Sequence, residues 1–155
     1  MADTYSQLYV QIVFAVKGRE NFLNPAWRGE LHKYIGGIIL GKKQKPFIVN
    51  SALNHIHILY GYRPGDRISD TVRDIKNNSS NFINDKKFLR GRFSWQEGYG
   101  AFSYSYSDID RVYQYIANQE EHHKKKTFKE EYLEILKQNG TEYNEGYLFD
   151  WHDER

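Results

Sequence analysis

The stretch Tyr5-Ser-Gln-Leu-Tyr-Val-Gln-Ile-Val-Phe-Ala-Val16 is the most strand-like part of this 155-residue sequence. Its apolar and β-branched residues run almost without interruption, a pattern typical of a central strand that is buried on both faces of a sheet. Two further strands, Phe47 to Asn50 and Ile56 to Tyr62, are expected on either side of a short turn at residues 51–54. Alternation from Trp95 to Tyr106 predicts a fourth strand.

Helical patterns lie between and after these strands. Asn24-Pro25 predicts the start of a first helix that ends near Gly41, and an apolar stripe from Ile68 to Ile83 predicts a second. A third helix is expected from about Ser107 to His122, and a fourth from Thr127 to about Gln138, opening with a capping box. The mixture predicts an α+β fold, in which helices pack against an antiparallel β-sheet.

Composition limits the class of protein. The length and the lack of a linker predict one domain over residues 1–155, with residues 140–155 as an aromatic C-terminal tail. The sequence contains no cysteine, which excludes disulfides, thiolate metal ligands and cysteine nucleophiles. There is no run of 18 apolar residues, so we expect a soluble, cytoplasmic protein. A net charge of +2 is too small to indicate a nucleic-acid partner by itself.

The histidine pair His55-Ile56-His57 lies in a predicted strand. Side chains repeat every two residues along a strand, so both imidazoles are expected on one face, where they could bind one metal ion. A pair of hydrogen-bonded histidines within a sheet has the same spacing. The motif alone therefore leaves both interpretations open.

The third predicted helix carries the candidate nucleophile. A helical wheel places Tyr113 with the apolar residues, which predicts a core position. It places Tyr115 and Gln119 together on a flank, one turn apart, where both side chains can point into a site. A phenol has a pKa of about 10 and needs activation near neutral pH, for example by a nearby metal ion.

Together these motifs resemble the HUH single-tyrosine transposases of small bacterial insertion sequences. The resemblance starts from His55-Ile-His57 and from Tyr115-Ile-Ala-Asn-Gln119. It extends, in order along the chain, over Gln7-Leu-Tyr-Val-Gln-Ile-Val-Phe-Ala15, Ile68-Ser-Asp-Thr-Val-Arg-Asp-Ile-Lys76 and Trp95-Gln-Glu-Gly-Tyr-Gly-Ala-Phe-Ser103. It implies the ferredoxin-like or RRM-like fold of HUH endonucleases.

The resemblance also implies an activity: metal-dependent cleavage and rejoining of single-stranded DNA through a 5′-phosphotyrosine. Tyr115 would be the nucleophile, and His55, His57 and Gln119 would bind a divalent metal, Mg²⁺ or Mn²⁺. The implied partner is single-stranded DNA with a subterminal hairpin. The implied assembly is a homodimer whose active sites combine the histidine pair of one subunit with the tyrosine helix of the other.

Two features of the sequence leave alternatives. Asn54 precedes the histidine pair where many relatives carry aspartate. An aspartate there could orient a metal-binding histidine through a hydrogen bond, and asparagine can still accept that bond but brings no negative charge. Two alternative functions remain: an inactive or domesticated relative that only binds hairpin DNA, and an HUH nickase.

A set of basic and aromatic side chains could hold single-stranded DNA by phosphate neutralisation and base stacking. The same side chains could equally belong to a solvated face and an ordinary core. They are Arg73, Lys76, Arg90, Arg92 and Trp95.

Overall fold

Four strands form one antiparallel sheet. The computed structural model describes residues 2–18 and 22–151 of the chain. The strands are β1 (Leu8–Ala15), β2 (Lys45–Ser51), β3 (His55–Tyr62) and β4 (Gly100–Tyr104). Their order across the sheet is β2-β3-β1-β4, so β1 lies inside, paired with β3 and β4. The predicted central strand and the predicted antiparallel α+β fold are confirmed.

The first two helices cover one face of the sheet. They are α1 (Arg28–Gly41) and α2 (Ile68–Lys86), which contact each other. Their buried apolar residues share the main hydrophobic core with Ile12 and Phe14 of β1 and with Ile56 of β3. A chain turn precedes α1, in which the Asn24 side chain accepts from the backbone N–H of Ala26. Asn24 and Pro25, predicted as the start of the first helix, therefore lie in a turn just before the regular helix, which begins at Arg28.

The remaining helices are α3 (Ile109–Ala117), α4 (Gln119–Lys125) and α5 (Phe128–Gln138). On α3, Val112 and Ile116 pack against Leu59 of β3, on the side of that strand opposite to Ile56. Because side chains alternate along a strand, the odd-numbered residues of β3, including both histidines, face α3. The capping box predicted at Thr127 is present at the start of α5.

The predicted third helix is interrupted. A short 3₁₀ turn covers residues 106–108, and the break between α3 and α4 falls at Asn118. The cause is a side chain of β2: the Asn50 amide donates to the carbonyls of Ile116 at 2.9 Å and Ala117 at 3.2 Å. Carbonyls at the end of a helix lack a partner within it, and Asn50 supplies one here. The sheet thus fixes where the tyrosine helix ends.

The tail folds back over α5. Phe149 is buried and packs on Phe128 and Tyr132, with ring centroids 5.7 and 5.1 Å apart. Its neighbour Asp150 exchanges backbone hydrogen bonds with the Gln96 side chain. The last residues of the predicted tail, 152–155, lie outside the described residues. In the described part of the chain, no helix has the length and apolar character to cross a membrane.

Candidate active site

Both histidine side chains of strand β3 are buried on the face of the sheet that α3 covers. His55 and His57 are 1% and 0% exposed, and they pair with Ala15 and Val13 of the central strand. Their ring centroids lie 5.1 Å apart. The shared face predicted from strand alternation is therefore the arrangement that the fold produces.

The ring of His55 is fixed on both sides. It stacks on Phe128 of α5 with centroids 4.0 Å apart, and its Nδ1 lies 2.8 Å from Asn54 Oδ1. With Nδ1–H directed at Asn54, the other nitrogen, Nε2, faces two oxygens, from Gln119 at 3.0 Å and Glu131 at 2.7 Å. Imidazole nitrogen and amide or carboxylate oxygens are all ligands of divalent cations, so a cation placed between these atoms could bind all three.

Gln11 of β1 contacts the Nδ1 side of the His57 ring. The Gln11 amide nitrogen donates to His57 Nδ1 at 2.9 Å, and the Tyr104 hydroxyl donates to the Gln11 oxygen at 2.8 Å. Burial lowers the pKa of His57 from its ordinary value of 6.5, and the neighbouring Glu131 only partly opposes this. The imidazole is therefore neutral at pH 7, the form that can bind a metal.

Tyr115 and Gln119 reach the histidines from the other side. The Tyr115 hydroxyl donates to Glu131 Oε2 at 2.5 Å, and the Gln119 amide donates to the same oxygen at 3.0 Å. Tyr115 also stacks on His122 of α4, with centroids 4.4 Å apart. Burial, followed by the charge of Glu131, raises the pKa of Tyr115 well above its usual value of 10. Without a further charge in the site, this phenol keeps its proton.

The helical wheel was right for one tyrosine and wrong for the other. Tyr115 and Gln119 do point to the same place, as their spacing predicts. Tyr113 is not a core residue, since its side chain is 38% exposed. The 3₁₀ turn at residues 106–108 and the break at Asn118 leave α3 only nine residues long. Its buried face is correspondingly narrow, consisting of Val112 and Ile116.

Glu131 is the site residue that sequence reasoning missed. It is 4% exposed, and its Oε1 lies 2.7 Å from His55 Nε2 and 3.3 Å from His57 Nε2. Burial acts to raise the pKa of Glu131, but the two imidazoles and their hydrogen bonds together lower it, so the group is a carboxylate. A signal was available: the acid falls within the apolar stripe of α5, three residues after Phe128 and four before Ile135.

The donor atoms are spaced as ligands of one cation would be. His55, His57 and Glu131 offer ligand atoms that all lie within 4.8 Å of one another. Ligands at about 2.1 Å and at right angles, as magnesium prefers, are about 3.0 Å apart. His55 Nε2 lies 2.7 Å from Glu131 Oε1 and 3.0 Å from the Gln119 oxygen, and His57 Nε2 lies 3.3 Å from Glu131 Oε1, all close to that value. The residues present therefore fit a divalent cation.

The residues predicted to bind DNA differ in how far they are buried: Trp95 is buried, and the three arginines are exposed. Trp95 is 7% exposed, packs edge-on against Phe14 and Phe93, and donates to Ser79, so its ring belongs to the core. Lys76 donates to the carbonyls of Gln96 and Gly98 at 2.8 and 2.6 Å, and burial lowers its pKa to about 8. In this arrangement both side chains support the fold.

The three arginines of that set are exposed. Arg73 forms ion pairs with Asp70 and Asp74 on α2, while Arg90 and Arg92 lie in the loop after α2. An open cleft of about 540 Å³ runs between α2 and the loop at residues 94–99, and Arg73, Lys76 and Trp95 contribute to its lining. The structure brings these three together, and Arg90 and Arg92 are not part of that lining.

The antiparallel sheet with its packed helices presents a buried histidine pair to the helix that carries Tyr115. The sequence profile described as "Transposase IS200 like" matches residues 4–119. The chain therefore belongs to the IS200-like transposase family.

Solved structures share the fold. A candidate transposase from Deinococcus radiodurans R1 is 21% identical, with a TM-score of 0.61 over 77% of this chain and 96% of that chain. A REP-associated tyrosine transposase bound to a REP hairpin is 16% identical, with a TM-score of 0.54 over 76% of this chain and 72% of that chain. A search of curated protein sequences finds no match.

Proposed function

We propose that this protein cleaves and rejoins single-stranded DNA at insertion-sequence ends through a phosphotyrosine at Tyr115. The observation that carries the proposal is the meeting of the Tyr115 hydroxyl with the His55 and His57 imidazoles around one carboxylate. Membership of the IS200-like transposase family supports it independently.

The cation of the proposed reaction is Mg²⁺ or Mn²⁺, held by His55, His57 and Gln119. When bound, it would polarise the scissile phosphate and stabilise the charge on its oxygens. Because the Nδ1–H of His55 points at Asn54 Oδ1, the lone pair of the neutral ring lies on Nε2, which faces the site. Gln11 can likewise place the lone pair of His57 on Nε2 by turning its amide over, because the Tyr104 hydroxyl can accept as well as donate.

The chemical step replaces one phosphate ester by another. The Tyr115 oxygen bonds to the phosphorus and loses its proton, while the bond to the 3′ oxygen of the preceding nucleotide breaks and that oxygen gains a proton. The products are a 5′-phosphotyrosine and a free 3′ hydroxyl. Attack of a 3′ hydroxyl on the phosphotyrosine reverses these changes and rejoins DNA, so no nucleotide cofactor is consumed.

The proposed partner is single-stranded DNA with a subterminal hairpin. Support comes from the solved tyrosine transposase that is bound to a REP hairpin and shares this fold. The exposed guanidinium groups of Arg73, Arg90 and Arg92 are the proposed phosphate contacts. A homodimer with shared active sites stays a prediction, and the groups of the candidate site already meet within one chain.

The test is a covalent adduct between protein and DNA. A hairpin-bearing single-stranded oligonucleotide, incubated with Mn²⁺, should give an adduct that resists denaturation. Tyr115→Phe should abolish this adduct, while the matched control Tyr113→Phe, at an exposed position two residues earlier, should keep it. Salt-dependent hairpin binding without any adduct would instead identify a DNA-binding relative that does not cut.

A further inference from the structure

We propose that Glu131 of α5 is a ligand of the same cation through Oε1, and that its Oε2 holds the Tyr115 phenol beside that cation. The inference rests on the cation site of the proposed function. It adds a residue that lies beyond the part of the chain, residues 4–119, that matches the transposase family.

The two oxygens of Glu131 face different groups. Oε1 lies between the imidazoles, 2.7 Å from His55 Nε2 and 3.3 Å from His57 Nε2. Oε2 accepts from the Tyr115 hydroxyl at 2.5 Å and from the Gln119 amide at 3.0 Å. One carboxylate therefore contacts every residue predicted to perform the reaction.

Charge gives the second argument. Imidazoles bind a metal ion in their neutral form, and the amide of Gln119 carries no charge. A divalent cation surrounded only by neutral groups in a buried place would lack a compensating charge, which is costly. Glu131 is the carboxylate among the described donor atoms, and it is 4% exposed. Before DNA supplies a phosphate, it is the group that offsets the cation.

The position of Glu131 is set by packing on both sides of it. Phe128, one turn earlier on α5, stacks on His55, and Tyr132 packs against Phe102 of β4. The capping box at Thr127 fixes the start of the helix. The carboxylate is thus delivered by a rigid element, as a metal ligand must be. Glu131 also connects the Tyr115 phenol to the cation site, so we expect cation binding to change the environment of the phenol.

The experiment measures cation binding in DNA-free protein. Calorimetric titration with Mn²⁺ should show that Glu131→Gln raises the Kd by about tenfold or more. The matched control is Glu134→Gln, three residues later on α5, where the carboxylate is half exposed and pairs with Lys126. It should leave the Kd within about twofold, since a surface ion pair contributes little.

A second readout follows the phenol. With ¹³Cζ-labelled tyrosine, and the Tyr115 signal assigned from Tyr115→Phe, titration with Mg²⁺ should shift that signal in the wild type and not in Glu131→Gln. If circular dichroism shows that Glu131→Gln does not fold, Glu131→Asp replaces it, since it keeps the charge and shortens the reach. It should also bind Mn²⁺ about tenfold more weakly.

Equal Mn²⁺ affinity in wild type and folded Glu131→Gln would overturn the inference, as would a wild type that binds no Mn²⁺ without DNA. These titrations involve neither DNA nor cleavage. Glu131-dependent Mn²⁺ binding in a protein that forms no DNA adduct would overturn the proposed function and leave this inference standing. An adduct together with unchanged Mn²⁺ binding in Glu131→Gln would overturn this inference and leave the proposed function standing.

Discussion

At the scale of single residues, the candidate site depends on what lies behind each histidine. Asn54 accepts from the Nδ1–H of His55, and Gln11 contacts Nδ1 of His57. Outer groups of this kind set which ring nitrogen is free to bind a metal, and they tune its basicity. Neither Asn54 nor Gln11 is charged, so we expect that a single substitution to a charged residue can raise the affinity for a divalent cation.

Asn54→Asp should tighten Mn²⁺ binding. The substitution keeps the acceptor at 2.8 Å from Nδ1 and adds a negative charge, which makes Nε2 of His55 a better ligand. The expected fall in Kd is up to about tenfold, measured by calorimetry on DNA-free protein. A Kd that stays the same or rises would show that Asn54 does not act through His55.

The sequence predicted these residues unevenly. The common face of His55 and His57 follows from strand alternation, and the approach of Tyr115 with Gln119 follows from helical spacing. Glu131 is separated from His57 by 74 residues and meets it only through the packing of α5 on the sheet. No local pattern specifies that contact, although an acid within an apolar stripe indicates that some buried partner exists.

At the scale of elements, periodicity located the four strands and the helices α1, α2, α3 and α5, but it did not separate α4 from α3. The helix expected from Ser107 to His122 ends early because Asn50, on β2, takes the carbonyls of Ile116 and Ala117. The strand expected from Trp95 is regular only from Gly100, and Trp95 itself makes an isolated bridge to Val16. Both differences arise from contacts between elements, which a single helix or strand pattern does not contain.

The contact between α1 and β2 predicts a dependence of stability on pH. His32 Nε2 lies 2.8 Å from the Ser51 hydroxyl, and burial, followed by the charge of Arg28, lowers the pKa of His32 from 6.5 to about 4. Between these values the unfolded chain binds the proton more tightly than the folded one. The stabilisation is therefore complete above pH 6.5 and is lost as the pH falls towards 4.

Urea unfolding at pH 7 and pH 5 checks this effect. The loss attributable to His32 at pH 5 should be about 2 kcal/mol. His32→Gln, which cannot titrate, should lose about that much less between the two pH values than the wild type does. The same pH dependence in both proteins would remove His32 as its cause.

At the scale of the whole molecule, one chain brings together everything that the proposed reaction requires. The sheet supplies the imidazoles, α3 and α4 supply the phenol and the amide, and α5 supplies the carboxylate. The resemblance to HUH transposases implies a site shared between two subunits. Shared and single-chain sites predict different outcomes when two inactive variants are mixed.

Mixing Tyr115→Phe with His57→Ala tests which assembly acts. If the site works as it lies in one chain, no mixed species contains a complete site and no adduct forms. In a shared site, the intact tyrosine of one variant and the intact histidines of the other would combine. Recovery of adduct to about a quarter or more of the wild-type yield, measured after subunit exchange, would favour the shared arrangement.

The covalent link itself is the most direct measurement. After reaction with a hairpin-bearing oligonucleotide and Mn²⁺, nuclease trimming and trypsin digestion should leave the nucleotide on the peptide of residues 112–124, which contains both Tyr113 and Tyr115. Fragmentation in the mass spectrometer should place the added mass on Tyr115. A mass on Tyr113, or on any residue outside this peptide, would contradict the account.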